Sequence, residues 1–319
     1  MLYPAYLNSH QNGDLEKTIV KTSALLASCT LCPRNCKVNR LKYQKGICQT
    51  GAKARVYNFM PHRGEEPPIS GSRGSGAIFF SGCNMQCVYC QNYEFSQLKK
   101  GREVGEKRLA QFMLDLQAAG CHNINLVTPT HVLPQILLAL KIAIAGGLKI
   151  PLVYNTGGYE QAKIIGLLKG IVDVYLADMR YAQEETAGKF SSAGDYPQYN
   201  RAAIKEMHSQ VGIAQMNEEG IIKRGLIIRH LVLPHNISGT DEIMRFIAQE
   251  ISIDTYISLM SQYHPCYKAG EYKELSRRIT DQEYSQAQDA MHKYGLYNGW
   301  TQEAGGLPRF AGTNIKPNL

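Results

Sequence analysis

From Gly76 onward the chain alternates short apolar runs of β character with segments of helical period, and this alternation limits the fold more than any other feature. The runs are "AIFFSG" (77–82), "NINLVT" (123–128), "PLVYN" (151–155), "IVDVYLAD" (171–178), "GLIIRHLVL" (225–233) and "TYISLMSQ" (255–262). Helical patterns lie between them at 107–119, 133–146, 159–169, 199–210 and 240–250. In the first of these, Leu109, Phe112, Met113 and Leu116 show the i, i+3, i+4, i+7 spacing of one buried face. The strand runs are nearly continuously apolar, as parallel strands covered by helices are. Six such units predict an α/β architecture, either a (βα)6 partial barrel or a doubly wound sheet.

Both architectures collect ligands at the C-terminal ends of their strands. Cys83 follows the first strand, Thr128-Pro129-Thr130-His131 ends the second, and Asn155 ends the third. Asp178 ends the fourth, Arg229 and Pro234 lie on or after the fifth, and Gln262 to Cys266 follow the sixth. An open barrel turns all six ends toward one site, so a partial TIM barrel over 72–265 is the predicted fold. A Cys-rich accessory segment (1–71) precedes it, and a C-terminal extension (266–319) with one helix over 280–294 follows. The stretch "HRGEEPPISGSRGSG" (62–76) reads as a proline-stiffened, solvated linker into the barrel. It is no phosphate loop, because no Gly-Lys-Ser/Thr follows.

Hydrophobic residues make up 44% and charged residues 19% of the chain, the balance of an ordinary globular protein. The opening residues lack the basic and apolar regions of a signal peptide. The most apolar window, 133–151, is too short for a membrane span and is broken by Lys141 and Gly146-Gly147. The expectation is a cytoplasmic protein with no membrane partner.

Nine cysteines stand in the sequence, seven of them in two tight clusters. In a reducing compartment such clusters read as metal sites and not as a disulfide framework. Cys83, Cys87 and Cys90 form C-x3-C-x2-C in the loop after the first strand. Three thiolates with an open fourth position suit a 4Fe–4S cluster that leaves one iron for another ligand. Catalytic zinc also keeps an open position, but its usual ligand sets include His or Glu, and no His lies near this loop. Cys29, Cys32, Cys36 and Cys48 supply four thiolates, a closed set that suits structural zinc or a second iron–sulfur cluster.

Residues 1–70 carry ten Lys/Arg and four Asp/Glu, a local excess of 10 − 4 = +6 within a total of +8. A nucleic-acid partner is one reading of that excess. The simpler one is that Arg34, Lys37, Arg40, Lys42 and Lys45 offset a negative thiolate site.

In this strand–loop context the cysteine motif resembles the radical S-adenosylmethionine superfamily. The segments "LCPRNC", "GEEPPISG", "IFFSGCNMQCVYCQNYEFSQ" and "LVTPTH" are similar to its pyruvate formate-lyase activating enzyme-like branch. The resemblance implies a 4Fe–4S cluster on Cys83, Cys87 and Cys90, with bound S-adenosylmethionine cleaved to a 5′-deoxyadenosyl radical that abstracts a hydrogen atom. It implies a flavodoxin or ferredoxin as electron donor and a glycyl-radical enzyme as the partner of an activase. The alternatives are direct modification of a small molecule, peptide or RNA, and a non-catalytic iron–sulfur or zinc module. Tyr89 falls where the family sets an aromatic ring against adenine. Many relatives carry Gly-Gly-Glu after the second strand, and Thr128 and Thr130 stand there instead. Asn155 and Arg229 occupy positions of ribose and carboxylate contacts, and Asp178-Met179-Arg180 is similar to an Asp-x-Lys of the activating enzymes. His62, Glu65 and Glu66 are candidates for acid–base or substrate-gripping roles, and Cys266 for hydrogen-atom donation. The plainer readings are a solvated linker for the first three and a buried inert thiol for Cys266.

Overall fold

A computed structural model describes residues 3–302; the rest of the expected C-terminal extension, 303–319, lies outside the described residues. Ten strands form one sheet system: β1 Ala54–His62, β2 Ser75–Phe80, β3 Arg102–Val104, β4 Ile124–Val127, β5 Leu152–Thr156, β6 Val174–Asp178, β7 Gln215–Met216, β8 Ile222–Leu231, β9 Tyr256–Met260 and β10 Gly299–Thr301. Along the sheet the order is β10-β9-β8-β6-β5-β4-β2-β1-β3, with β7 paired to β8 outside that path. The six strands read from the sequence are β2, β4, β5, β6, β8 and β9. They are mutually parallel neighbours in chain order. No reversal of order occurs, so there is no switch point and the doubly wound alternative falls away. The fold is the (βα)6 partial barrel.

Helices Glu106–Ala118, Leu133–Ala145, Tyr196–Val211, Thr240–Glu250 and Asp281–Lys293 match the expected helical segments to within a few residues. The expected 159–169 helix shrinks to Ala162–Gly166. Among the described residues no helix is long and apolar enough to cross a membrane.

Alternation along each strand separates two cores. Leu152, Tyr154, Tyr175, Ala177, Leu226 and Ile228 face the helices in the main core. Val153, Val174, Leu176 and Ile227 face inward. Toward the strand ends the inward positions become polar: Asn155, Asp178 and Arg229, all two residues past an apolar inward neighbour. Period two therefore places apolar packing at the barrel floor and ionisable groups at its mouth.

Two expectations for the N-terminal part are corrected. The expectation of a Cys-rich accessory segment over 1–71 names no helix there, and the structure adds helices Ala5–Gln11 and Asp14–Ala24. The buried face of the second is Leu15, Thr18, Ile19 and Thr22, a helical period half hidden by threonines. The 62–76 stretch is not a solvated linker. Pro67 and Pro68 begin a short helical turn, Pro67–Ser70, where a missing N–H costs nothing. Ile69 is fully buried against Val153, Val174, Leu176 and Ile227. The segment plugs the barrel interior, and Ala54–His62 joins the sheet antiparallel to β2.

Candidate metal centre and barrel mouth

The C-x3-C-x2-C loop leaves β2 through Gly82, whose φ of 88° favours glycine. A Cβ there would also lie 2.6 Å from the Cys48 carbonyl oxygen. The loop is tied to helix Glu184–Ser191 by Gln86 N–H to Ser191 O (3.2 Å) and Val88 N–H to Phe190 O (2.9 Å). Each sulfur has polar company. Met85 N–H donates to Cys83 Sγ at 3.4 Å, Ser191 Oγ to Cys87 Sγ at 3.0 Å, and Arg180 Nη1 to Cys87 Sγ at 3.4 Å. Cys90 Sγ lies 3.1 Å from Ser96 Oγ.

Burial, reinforced by the neighbouring cysteines, pushes Cys83 up to about 12 and Cys90 up to about 11. Thiolates persist in such surroundings only beside strong positive charge, which a bound metal supplies. Three neighbouring thiols with N–H, O–H and guanidinium donors on their sulfurs fit a thiolate-bound iron–sulfur cluster.

Cys90 and Tyr89 also line a cavity of about 150 Å³ at the barrel mouth, together with Asn155, Asp178, Arg180 and Arg229. Arg229 joins the wall into one network. Its Nε donates to Asp178 Oδ1 (2.7 Å), its Nη2 to Asn155 Oδ1 (2.7 Å), and its Nη1 reaches Glu65 Oε2 at 3.5 Å. Arg180 holds the other oxygen of Asp178 at 2.6 Å and spans from there to Cys87. Burial alone would raise the Asp178 carboxyl, but Arg229 and Arg180 overcome it and hold the group below its ordinary value. Glu65 lacks such a balance: burial pushes it up, opposed chiefly by Arg229. Glu66 is pushed by burial to about 7.

The expected site residues divide accordingly. Tyr89, Thr128, Asn155, Asp178, Arg229, His62 and Glu65 all line the mouth. Thr128 does so with a φ of 60°. Thr130 does not join them, because its hydroxyl donates to the buried Glu160 at 2.5 Å. Glu66 is buried beside Glu65, and Cys266 donates to the Tyr89 carbonyl oxygen at 3.2 Å.

Three contributors were not singled out from the sequence. Ser191 holds Cys87, Tyr181 donates to the Tyr89 hydroxyl at 2.6 Å, and Glu160 gathers the hydroxyls of Thr130 and Thr156. They come from loops and helix ends with no motif spacing, so only the fold brings them together.

The N-terminal cysteines sit against the same loop. Arg34 Nε donates to Asn84 O at 2.8 Å, and Gln161 Nε2 donates to Thr30 O (3.0 Å) and Cys32 O (2.7 Å). Cys29, Cys32, Cys36 and Cys48 all border one small void.

Comparisons with known proteins bear on the Cys83 loop and on the chain as a whole. A family model described as a 4Fe–4S single cluster domain matches residues 70–191, which include Cys83, Cys87 and Cys90 but not the N-terminal set. The uncharacterized protein MJ0674 of Methanocaldococcus jannaschii is 31% identical over 293 residues, covering 89% of this chain and 79% of that protein. Similar solved structures include native anSMEcpe with bound AdoMet, at 12% identity and a TM-score of 0.47 over 69% of this chain and 61% of that one. HydG from Carboxydothermus hydrogenoformans gives 14% and 0.46 over 69% and 50%, respectively. Streptococcus suis SuiB bound to precursor peptide SuiA gives 10% and 0.47 over 78% and 51%. The chain thus spans 50–61% of the length of these three structures. The extended match to MJ0674 makes the chain a member of that protein's family, and its C-x3-C-x2-C loop, heading a (βα)6 partial barrel, lies inside the 4Fe–4S match.

Proposed function

We propose that the protein is a radical S-adenosylmethionine enzyme that holds a 4Fe–4S cluster on Cys83, Cys87 and Cys90 and S-adenosylmethionine in the barrel mouth. The observation that carries this reading is one continuous wall. Arg180 touches both Cys87 Sγ and Asp178, and Arg229 links Asp178 to Asn155 and Glu65. When bound, the cluster and S-adenosylmethionine supply reductive carbon–sulfur cleavage and a hydrogen-abstracting radical.

The chain's own residues bind, orient and shield. Arg229 is the carboxylate partner, since its fork is fixed by Asp178 and Asn155 and a guanidinium suits a carboxylate. Asp178 and Glu65 face the positive end of the same ligand, and Tyr89 offers its ring, itself held edge-on by Tyr181 and Tyr263. Arg180 neutralises the Cys87 side of the wall. Leu231, Met260 and Gln262 close the mouth on the β8–β9 side and limit water there.

Within this class, a glycyl-radical activase and an enzyme acting directly on a small molecule, peptide or RNA begin with the same hydrogen abstraction. A low-potential flavodoxin or ferredoxin supplies the electron in either case. The test is anaerobic reconstitution followed by reduction with S-adenosylmethionine present. The reading expects 5′-deoxyadenosine from the parent and at least a ~100-fold loss in Cys87→Ala, since a ligand to the reacting centre is removed. Equal cleavage by Cys87→Ala, or none by a cluster-loaded parent, overturns it and leaves the non-catalytic metal module.

A further inference from the structure

Arg40 is 1% exposed and heads the fully buried side chains by volume. Its Nε and Nη2 donate to Gly51 O at 3.0 and 2.7 Å, and its Nη1 donates to His131 O at 2.7 Å and approaches Cys29 Sγ at 3.9 Å. Among the described residues it makes no ion pair with a carboxylate. An enclosed guanidinium with only neutral partners is costly, so something negative belongs beside it. The void at its side is bordered by Cys29, Cys32, Cys36 and Cys48, and by His131. His131, itself 1% exposed, has an Nδ1 atom without a hydrogen-bond partner. Neutral thiols do not supply the missing charge. Four metal-bound thiolates do.

Four thiolates around zinc and four around an iron–sulfur cluster leave the same negative charge beside Arg40, so position decides between them: only a redox-active centre gains from standing next to the Cys83 loop. The two thiol sets are neighbours. Cys36 and Cys48 line a cavity of about 870 Å³ whose wall includes Cys83, and the Cys48 carbonyl packs on Gly82.

We propose that Cys29, Cys32, Cys36 and Cys48 hold a second iron–sulfur cluster beside the Cys83 loop, with the buried Arg40 as its counter-cation. The inference needs no catalytic activity, and a variant lacking the Cys83 centre tests it apart from the catalytic reading. Its test uses the full chain, reconstituted anaerobically with iron and sulfide. The Cys83/Cys87/Cys90 triple alanine variant is expected to retain about four irons with matching sulfide, and the parent about eight. The reduced variant should give one sharp paramagnetic signal, whereas the fully reduced parent should show broadening by coupling between adjacent centres.

One zinc per chain without sulfide, or no metal, in the folded triple variant overturns the proposal. In the same background Arg40→Gln, which keeps all four ligands, should move the midpoint potential of the remaining signal to more negative values, and Arg40→Lys should largely restore it. A potential indifferent to Arg40→Gln removes Arg40 from the proposal. Loss of S-adenosylmethionine cleavage leaves these readouts untouched.

Discussion

Asp173, the residue before β6, and Asp178, its last residue, stand five positions apart, and burial acts on them with opposite results. Asp173, at the barrel floor, accepts Ala5 N–H at 2.8 Å and Leu152 N–H at 3.0 Å and so clamps the N-terminal helices to the sheet. Its burial outweighs those bonds and pushes the carboxyl up to about 6. Asp178, at the mouth, is as deeply enclosed but sits between Arg229 and Arg180, which hold it below its ordinary value. The floor carboxyl fastens backbone and tolerates protonation. The mouth carboxylate keeps its charge among other charges, and such an array can re-pair around a charged ligand without reorganising the backbone. On the proposed reading, one strand carries a stability device at its start and a binding device at its end.

The largest effect should come from Asp178→Ala. It leaves Arg229 and Arg180 enclosed without their shared partner, and breaking a buried pair in this way costs about 3–5 kcal/mol. Calorimetric titration of the surviving fold should also show S-adenosylmethionine binding weakened at least tenfold. A variant that keeps both stability and affinity would erase the distinction between the two ends of β6.

Ile69→Ala should come next. It empties the plug of the barrel floor, fully enclosed among Val153, Val174 and Ile227, at about 2–5 kcal/mol. Denaturant unfolding reads the loss, and S-adenosylmethionine affinity of the folded protein should stay within a factor of two. Reduced affinity at unchanged stability would move Ile69 to the mouth's side of the comparison.

These two variants also mark where the sequence was readable. Period two and period 3.6 exposed six strands and most helices, because apolar faces repeat there. The same rule put Asn155, Asp178 and Arg229 at strand ends, and the fold gathers them in one network. Ile69 was hidden because it is one apolar residue among glutamates, prolines and glycines, a composition that favours solvent unless a partner waits in the fold. Glu65 was weighed as a candidate, but its enclosure depends on Arg229 and Asn155, some 90 and more positions away. Thr130 turns away from the mouth for the same reason in reverse. Its partner, Glu160, lies in a loop without periodicity and takes the hydroxyl away from the mouth.

Asp173 gives the third prediction, a pH dependence. Its folded value of about 6 lies above the ordinary 3.8, so the folded state holds its proton more tightly than the unfolded chain does. The contribution to stability is complete below pH 3.8, declines as pH rises, and is lost above about pH 6. Two units correspond to about 3 kcal/mol as an upper bound. Subtracting the stability–pH curve of Asp173→Asn from that of the parent should reveal this decline, since other titrating groups cancel. A flat difference between pH 4 and 7 would mean that the floor carboxyl is ionised throughout, like the one at the mouth.

The smallest expected effect is the most selective. Ser191 is fully buried, and its hydroxyl donates to Cys87 Sγ at 3.0 Å while lying 2.7 Å from the Tyr181 hydroxyl. A hydrogen bond on a ligating sulfur stabilises the more electron-rich state, so it raises the reduction potential of the centre that the sulfur serves. Ser191→Ala removes a single neutral bond and little volume, which costs at most about 1 kcal/mol of stability. An optical redox titration should nevertheless find the Cys83 centre at a more negative potential, with Ser191→Thr returning it toward the parent because the hydroxyl is kept. This is the mirror image of Ile69→Ala, in which stability moves and the centre does not. If Ser191→Ala lowers stability as a floor residue would and leaves the potential where it was, the serine only fills space, and the mouth's influence on the sulfurs ends at Arg180.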